Sequence, residues 1–273
     1  MNSDTYLSRI GIDPDSLGEP SLSSLRRLQH AHVTTIPFET LAVTGHPFDE
    51  ADDGEGVRLE LPHLFEKVVE RERGGFCFEL NGLSNWLLSD LGFDADRVAA
   101  RVLDDDGVGR PPANHHSNVV ELDQRYVVDV GMGVPSMRRP TPLDGEVRTD
   151  EAGVSWRVVE SDRPDETHLT QYRYEPDGEW QDRYLFSDTP RMLTYFEATC
   201  DYLQSAPESS FTGDPVVIRP TEDGHRKLTP ESLTRYVGSE SSEREIGAAE
   251  WDDLLEGEFG IDYRTEADES PVA

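Results

Sequence analysis

The chain has 273 residues, with 56 acidic against 25 basic ones and a formal net charge of −31. That length allows a sizeable core in two or three units. The charge excludes nucleic acid as a partner and disfavours an anionic membrane surface, since both need a basic footprint.

The acidity is spread along the chain rather than gathered in one tail. In molar salt the Debye length falls to about 3 Å and such self-repulsion is screened, so the surface reads as that of a protein from a salt-loaded cytoplasm. The opening stretch, MNSDTYLSRIGIDPDS, has no basic segment and no long apolar run. No export signal is expected, no stretch reaches the ~20 apolar residues of a membrane span, and the expected location is cytoplasmic.

Residues 1–92 read mainly as helices. Leu22, Leu25, Leu28 and His32 recur at helical spacing with Ser21 available as a cap, and Leu64, Phe65, Val68 and Val69 continue in kind. Between them TTIPFETLAVTGHPFDEADDGEG, broken by Pro37, Pro47 and glycines, reads as a long loop with a short strand. RERGGFCFELNGL (71–83) opens another helix. Phe76, Leu80, Leu83 and Leu87 form one apolar stripe, Trp86, Leu88 and Leu91 widen it, and Gly92 sits where a C-terminus wants glycine. Cys77 falls in the first turn, reached through a bend that Gly74 and Gly75 permit. Free N–H groups and the helix dipole favour a thiolate there, although a small core residue would occupy the same place.

Residues 93–190 change character. DRVAARVLD, SNVVELDQRYVVDVG, VSWRVVES, HLTQYRYE and WQDRYLF are short β-rich runs between turn clusters such as DDDGVGRPP, PDG and PLDGE, a pattern of antiparallel barrels or sandwiches. Residues 191–273 mix again. A helical PRMLTYFEATCDYLQ precedes a strand-like PVVIRP, a turn at EDGHR, a helix across SEREIGAAEWDDLLEGEFGI and a disordered acidic tail, RTEADESPVA.

A thiol nucleophile needs a base and a group that orients the base. Candidates lie in NHHSNVVELDQRYVVDVGMG (114–133), whose β runs 117–122 and 125–130 flank Asp123-Gln124 as a hairpin. Asp129 is a carboxylate among Val127, Val128 and Val130, and a buried Asp needs a partner; His115 and His116 lie at the far end of the neighbouring strand. With a strict two-residue turn Asn118 faces Asp129, and His115 is roughly 10 Å further along. A longer loop or a bulge would bring it closer. Spacing alone leaves both histidines open. Cys77 and Cys200, the only cysteines, are expected to be free thiols. The eight histidines form no HExxH or Cys/His cluster, so no metal is expected.

RGGFCFELN (73–81) resembles the Arg-Gly-Gly-x-Cys-x-Glu-x-Asn signature of the arylamine N-acetyltransferases. HVTTIPFETL (32–41) is similar to the family's His-x-x-x-Ile/Val-Pro-Phe-Glu segment. HHSNVVELDQRYVVDVGMG resembles its His-bearing strand pair, FEATCDYLQSAPESSF (196–211) its Phe-Glu … Ser-x-x-Pro-x-Ser-x-Phe segment and LLEGEFGI (254–261) its terminal helix, all in the family's order. The resemblance implies an α+β fold with a cysteine-protease-like Cys-His-Asp core. A helical bundle (1–92) would carry the nucleophile, an antiparallel β-barrel (93–190) His and Asp, and an α/β lid (191–273) would end in the acidic tail.

It implies Cys77 as nucleophile, His115 as base and Asp129 as orienting carboxylate; His115 is preferred because aligning VVELD places it at the family's histidine. Arg73 and Glu39 would form a buried ion pair, Glu79 and Asn81 would brace the cysteine turn, and Phe38 and Met132 would line the acceptor pocket. The implied reaction is two-step transfer of acetyl from acetyl-CoA to an arylamine or hydrazine, with acetyl-CoA as acyl-donor substrate.

Thr40 stands where the family has Asn, Asn114 where it has Thr, Met132 where it has Phe and Cys200 where it has Asn. A flexible thioether at 132 alters amine preference, and Cys200 reads as a core residue. CoA is anionic, so local arginines or screening by salt must compensate for the acidic surface; RPTEDGHR (219–226) and Arg138-Arg139 are candidate contacts. The rivals are a thiol hydrolase or transglutaminase-like enzyme using the same triad on amides, and a non-enzymatic binding module.

The surface charge carries a prediction of its own. Dilution from molar to ~0.1 M salt should lower the melting temperature as screening is lost; a melting temperature indifferent to salt removes the salt-adapted reading.

Overall fold

The structure is a computed structural model describing residues 1–104, 110–174, 178–238 and 240–263. The acidic tail at 264–273 and most of the DDDGVGRPP turn lie outside the described residues.

α1 (Ser3–Arg9) starts at Asn2, whose side chain accepts from the Thr5 N–H. α2 (Leu22–Thr35) starts at Ser21, as its sequence predicts. The Ser21 hydroxyl accepts from the Ser24 N–H while the Ser24 hydroxyl accepts from the Ser21 N–H, a reciprocal cap that satisfies two otherwise orphaned donors. The Pro-Phe-Glu stretch forms β1 (Phe38–Glu39) and the one-turn α3 (Leu41–Thr44). α4 (Leu61–Phe65) runs into a wider turn, Glu66–Glu70, closed by the Arg71 N–H on the Glu66 carbonyl. α5 (Cys77–Asp90) buries nearly its whole first half, and Gly92 beyond it takes a left-handed φ of 88°.

Eight strands follow: β2 (Asp94–Val102), β3 (His115–Glu121), β4 (Arg125–Val128), β5 (Thr141–Pro142), β6 (Arg148–Thr149), β7 (Val154–Arg163), β8 (Glu166–Tyr174) and β9 (Gln181–Pro190). They form one antiparallel sheet in the order β5-β4-β3-β2-β9-β8-β7-β6. β5 returns against β7, so the sheet is a nearly closed barrel. Val119, Val127, Trp156, Tyr184 and Phe186 fill its interior. The opposite face of β3 and β4, with Val120 and Val128, joins the core around α5.

α6 (Glu197–Ser205) adds Cys200 and Leu203 to that same core. The last unit is a five-stranded sheet, β1 with β10 (Val217–Pro220), β11 (Gly224–Leu228), β12 (Ser232–Val237) and β13 (Glu240–Glu245), in the order β1-β10-β11-β12-β13. α7 (Ala248–Leu254) packs on it through Trp251, beside Leu255 and Phe259. The terminal sheet therefore takes its first strand from the Pro-Phe-Glu segment near the start of the chain.

Two expectations change. The final helix begins at Ala248; the Ser-Glu-Arg-Glu stretch before it is part of β13. That stretch has no apolar stripe to bury, and it is held by backbone pairing with β12 at a sheet edge, where charge is tolerated. The β3–β4 connection has three residues, 122–124, rather than two. Glu121 faces Arg125 and Asn118 faces Val128, so Asp129 falls opposite Ser117 instead of Asn118. Among the described residues no helix is long and apolar enough to cross a membrane.

Candidate active site

The start of α5 is pressed between two other segments, and glycine permits both contacts. A Cβ on Gly74 would lie 2.2 Å from the Pro37 carbonyl oxygen, where the cysteine turn passes β1. The two glycines before Cys77 thus serve close approach; neither takes the left-handed conformation. On the other side, a Cβ on Gly131 would lie 2.6 Å from the Cys77 Cα. The end of the β3–β4 hairpin is in this way laid against the first turn of α5.

The hairpin register decides between the two histidines. Side chains alternate along a strand, so placing Asp129 opposite Ser117 puts it on the face that carries His115. The His115 Nε2 lies 2.6 Å from Asp129 Oδ2, both side chains buried. The Cys77 thiol lies 3.9 Å from the Asn114 carbonyl oxygen, and Cys77 and His115 line the same cavity. Burial opposes charge on the His115 ring, but the Asp129 carboxylate, its hydrogen bond and contact with Cys77 outweigh it and push the ring up to about 10. Burial would also raise Asp129; the His115 charge and hydrogen bonds from His115, Asn81 and the Gly131 N–H hold it below the usual carboxylate range.

His116 points to the opposite face and stacks on Phe196, with ring centroids 4.6 Å apart and planes 16° from parallel. Burial, aided by Arg97 and His115, pushes it down to about 3, so it stays neutral.

Asn81, expected to brace the cysteine turn, binds the β3–β4 hairpin instead. Its Nδ2 donates to the His116 carbonyl at 2.6 Å and to Asp129 Oδ1 at 2.9 Å, and its Oδ1 accepts from the Val130 N–H at 2.9 Å. Glu79 does hold the turn: its Oε2 accepts from the Phe76 N–H at 3.0 Å, the N-cap position of α5.

Glu39 and Arg73 are paired at 3.1 Å, both buried, and the pair belongs to a larger cluster. Lys67 lies 2.7 Å from Glu79 Oε1 and 3.4 Å from Glu39 Oε1, and is itself 1% exposed. The Arg73 guanidinium also lies over the Tyr263 ring at 4.7 Å. Burial works against the Glu39 charge, yet Lys67, Arg73 and the Leu41 N–H bring it down to about 2. Lys67 was legible only as a residue on an amphipathic helix. The available signal was that Lys67 is one of two lysines in a chain whose other basic residues are arginine.

Cys77 and His115 open on a cavity of about 280 Å³, also lined by Phe38, Met132, Arg183 and Phe211. The two pocket residues expected from the sequence, Phe38 and Met132, are therefore both on its wall. Asn114 holds the wall by accepting from the Val102 N–H at 2.9 Å, and the Thr40 hydroxyl ties β1 to the terminal sheet by accepting from the Val216 N–H at 3.0 Å.

A second cavity of about 810 Å³ lies between Val134–Ser136 and the terminal sheet, where His225, Lys227 and Tyr236 line it. The basic contacts expected for CoA are mostly engaged elsewhere. Arg138 is buried against Asp150 at 3.0 Å and donates to the Thr221 and Gly224 carbonyls; Arg139 pairs with Glu151, and Arg226 with Glu258. Cys200 is buried in the α5 core, and burial pushes its thiol up. Among the described residues no group of three or more His, Cys, Asp or Glu is placed to hold a metal.

Comparison with known proteins finds relatives over nearly the whole chain. The sequence profile of the N-acetyltransferase family matches residues 21–267. The arylamine N-acetyltransferase of Mycolicibacterium smegmatis is 32% identical over 264 residues, covering 94% of this chain and 90% of that protein. The solved structure of the M. smegmatis arylamine N-acetyltransferase has a TM-score of 0.83 at 31% identity, over 98% of this chain and 94% of that one. Mycobacterium marinum arylamine N-acetyltransferase in complex with CoA has a TM-score of 0.81 at 28% identity, over 98% and 94% of the two chains.

The buried charges can be tested by stability. Glu39→Ala leaves Lys67 and Arg73 facing each other without their shared anion, and should cost about 3–5 kcal/mol in denaturant unfolding; a loss below ~1 kcal/mol, the range of a surface pair, removes the cluster as a structural tie.

The His115–Asp129 pair should show in the pH profile of stability. His115 titrates above its ordinary 6.5, so its contribution is complete below pH 6.5 and is lost as pH rises through about 10. Asp129 titrates below its ordinary 3.8, so its contribution is present above that pH and disappears as pH falls further. The difference in melting temperature between wild type and His115→Gln should be largest near pH 6 and close above pH 10. Parallel curves would show that the pair does not form.

Proposed function

The chain belongs to the arylamine N-acetyltransferase family, whose members transfer acetyl from acetyl-CoA to an arylamine nitrogen, and from that premise we propose that Cys77, His115 and Asp129 carry the transfer as nucleophile, base and orienting carboxylate. The observation that carries this reading is the 2.6 Å contact between His115 Nε2 and Asp129 Oδ2, at the edge of a cavity that both Cys77 and His115 line.

A ring pushed up to about 10 is an imidazolium at neutral pH, and a thiol nucleophile paired with a histidine reacts as its thiolate. The thiolate attacks the thioester carbonyl carbon of acetyl-CoA. The bond from that carbon to the CoA sulfur breaks, and the leaving thiolate takes the imidazolium proton. An arylamine or hydrazine nitrogen then attacks the acetyl-cysteine. His115 accepts its proton, the C–S bond to Cys77 breaks, and the acetylated amine leaves as the thiolate–imidazolium pair is restored. Asp129 holds the ring in one orientation and stabilises its charge in both halves. The Phe76 and Glu79 N–H groups are engaged by Glu79 Oε2 and the Phe76 carbonyl, and the Cys77 N–H at the head of the helix is the donor assigned to the oxyanion. Two half-reactions through one sulfur give ping-pong kinetics.

Space supports a position for the donor. The 280 Å³ cavity takes an acetyl group or one ring, not a whole CoA. The 810 Å³ cavity across the Met132–Pro135 segment has the volume for the rest, with Lys227 and His225 on its wall as groups for its phosphates. The M. marinum relative is a CoA complex.

Incubation with acetyl-CoA should add one acetyl group to Cys77 by mass spectrometry, and an added aromatic amine should discharge it. Cys77→Ala should keep the fold and lose the transfer; Lys227→Ala should keep the acetylation at saturation but raise the acetyl-CoA concentration that half-saturates it. Sequential kinetics with no acetylated Cys77 would refute the mechanism, and release of free acetate without an amine would assign a thiol hydrolase instead.

A further inference from the structure

The RPTEDGHR segment offers its two arginines as contacts for CoA, and the structure turns both the other way. Arg219 lies directly opposite Arg226 across β10 and β11, and Arg226 directly opposite Arg235 across β11 and β12. Side chains alternate along a strand. The three arginines therefore share the face that carries Val217, Leu228 and Leu233, which packs against Trp251, Leu255 and Phe259. Ile218, Lys227 and Tyr236 belong to the opposite face and line the cavity of about 810 Å³. The thickness of the sheet separates the arginine row from that cavity.

Like charges directly opposite each other destabilise a sheet, so a row of three arginines needs anions. Glu258, in the wide turn Leu255–Phe259 after α7, supplies one. Its carboxylate reaches Arg226 at 2.7 Å and Arg235 at 2.5 Å. Arg219, at the other end of the row, is half-buried, and among the described residues its side chain makes no ion pair or hydrogen bond. Burial lowers its guanidinium, and the charges of Arg226 and Arg9 add to that against Glu258. Elsewhere in this acidic chain Arg125, Arg138 and Arg244 each meet a carboxylate at 2.6–3.0 Å. Opposed side chains on a sheet start from Cβ atoms roughly 5 Å apart, within reach of one small ion. A tetrahedral oxyanion presents oxygens to two planar forks at once, and a guanidinium grips such a group with parallel hydrogen bonds.

We propose that Arg219 and Arg226 form a site for one phosphate or sulfate oxyanion, on the face of the terminal sheet away from the 810 Å³ cavity. The anion completes a row that Glu258 balances only at its far end, and so stabilises the sheet that walls the cavity. Two sources carry this chemistry, a free anion and the phosphates of CoA. The sheet between the row and the cavity favours the free anion.

Equilibrium dialysis of the full chain against radiolabelled inorganic phosphate, at one ionic strength set with sodium chloride, should show a single saturable site. Arg219→Gln should raise the dissociation constant about 10-fold or more, the scale of one charged hydrogen-bond pair. Glu258→Gln should lower it, because Arg226 is released from its carboxylate; a purely structural arginine row gives no such gain. Millimolar phosphate should raise the melting temperature of wild type more than that of Arg219→Gln, since general effects of the salt act on both alike. The acetyl-CoA concentration that half-saturates acetylation of Cys77 should be the same in wild type and Arg219→Gln.

Absence of saturable phosphate binding by wild type overturns the proposal. Equal affinity in wild type and Arg219→Gln also overturns it and places the phosphate elsewhere. Displacement of phosphate by CoA, together with a raised half-saturating acetyl-CoA concentration in Arg219→Gln, overturns the separate site and assigns the guanidinium to the donor. Dialysis reads binding without turnover, so its result stands apart from the acyl-transfer mechanism.

Discussion

Asn81 is the constraint on which the rest of the site depends. It sits one turn into α5 and spends its whole side chain on the β3–β4 hairpin, with two donations and one acceptance across the join. The three groups proposed for chemistry come from two segments far apart in sequence, and no covalent link sets their distance. The amide sets it by binding Asp129 directly and by fixing the strand end on either side of it. Gly131 is the complement of this clasp, since any side chain there would push the hairpin off the Cys77 backbone. Because Asn81 is fully buried, its three hydrogen bonds form away from competing water.

Behind the clasp lies a second tie of a different kind. Lys67, Arg73, Glu39 and Glu79 are buried together and join four pieces of chain: the turn after α4, the cysteine turn, β1 and α5. Such a cluster is poor at adding stability over an apolar core but strict about geometry, since losing any one member strands its neighbours. It is placed where strictness matters, since the sulfur at the head of α5 must keep its position. β1 carries the same positional information into the terminal sheet through its pairing with β10. Helical part, barrel and terminal sheet therefore meet within a few residues of Cys77.

Much of this was legible in the sequence, and the reasons differ by element. The cysteine helix showed through its apolar stripe and Gly92, α2 through Ser21, and the barrel strands through runs of valine and aromatics between turn residues. Ordered motifs carried the family and the Arg73–Glu39 pair. The hairpin register did not show, because alternation in VVELDQRYVV permits a two- or a three-residue loop, and one residue of slip exchanges the faces of every side chain. That ambiguity is why spacing could not separate His115 from His116. The Lys67 contacts did not show because burial of a lysine follows from partners remote in sequence. The arginine row across β10, β11 and β12 did not show because register is a property of strands paired together.

The excess of carboxylates has a further bearing on β13, the outermost strand of the terminal sheet. All six of its residues are exposed, and three of them are glutamates. Its outer backbone edge, unpaired among the described residues, would otherwise be an invitation to any extended segment nearby. A second copy of the chain approaching it with its own β13 would bring acid toward acid along the seam. Charge at the last strand thus disfavours edge-to-edge extension of the sheet wherever salt does not screen it.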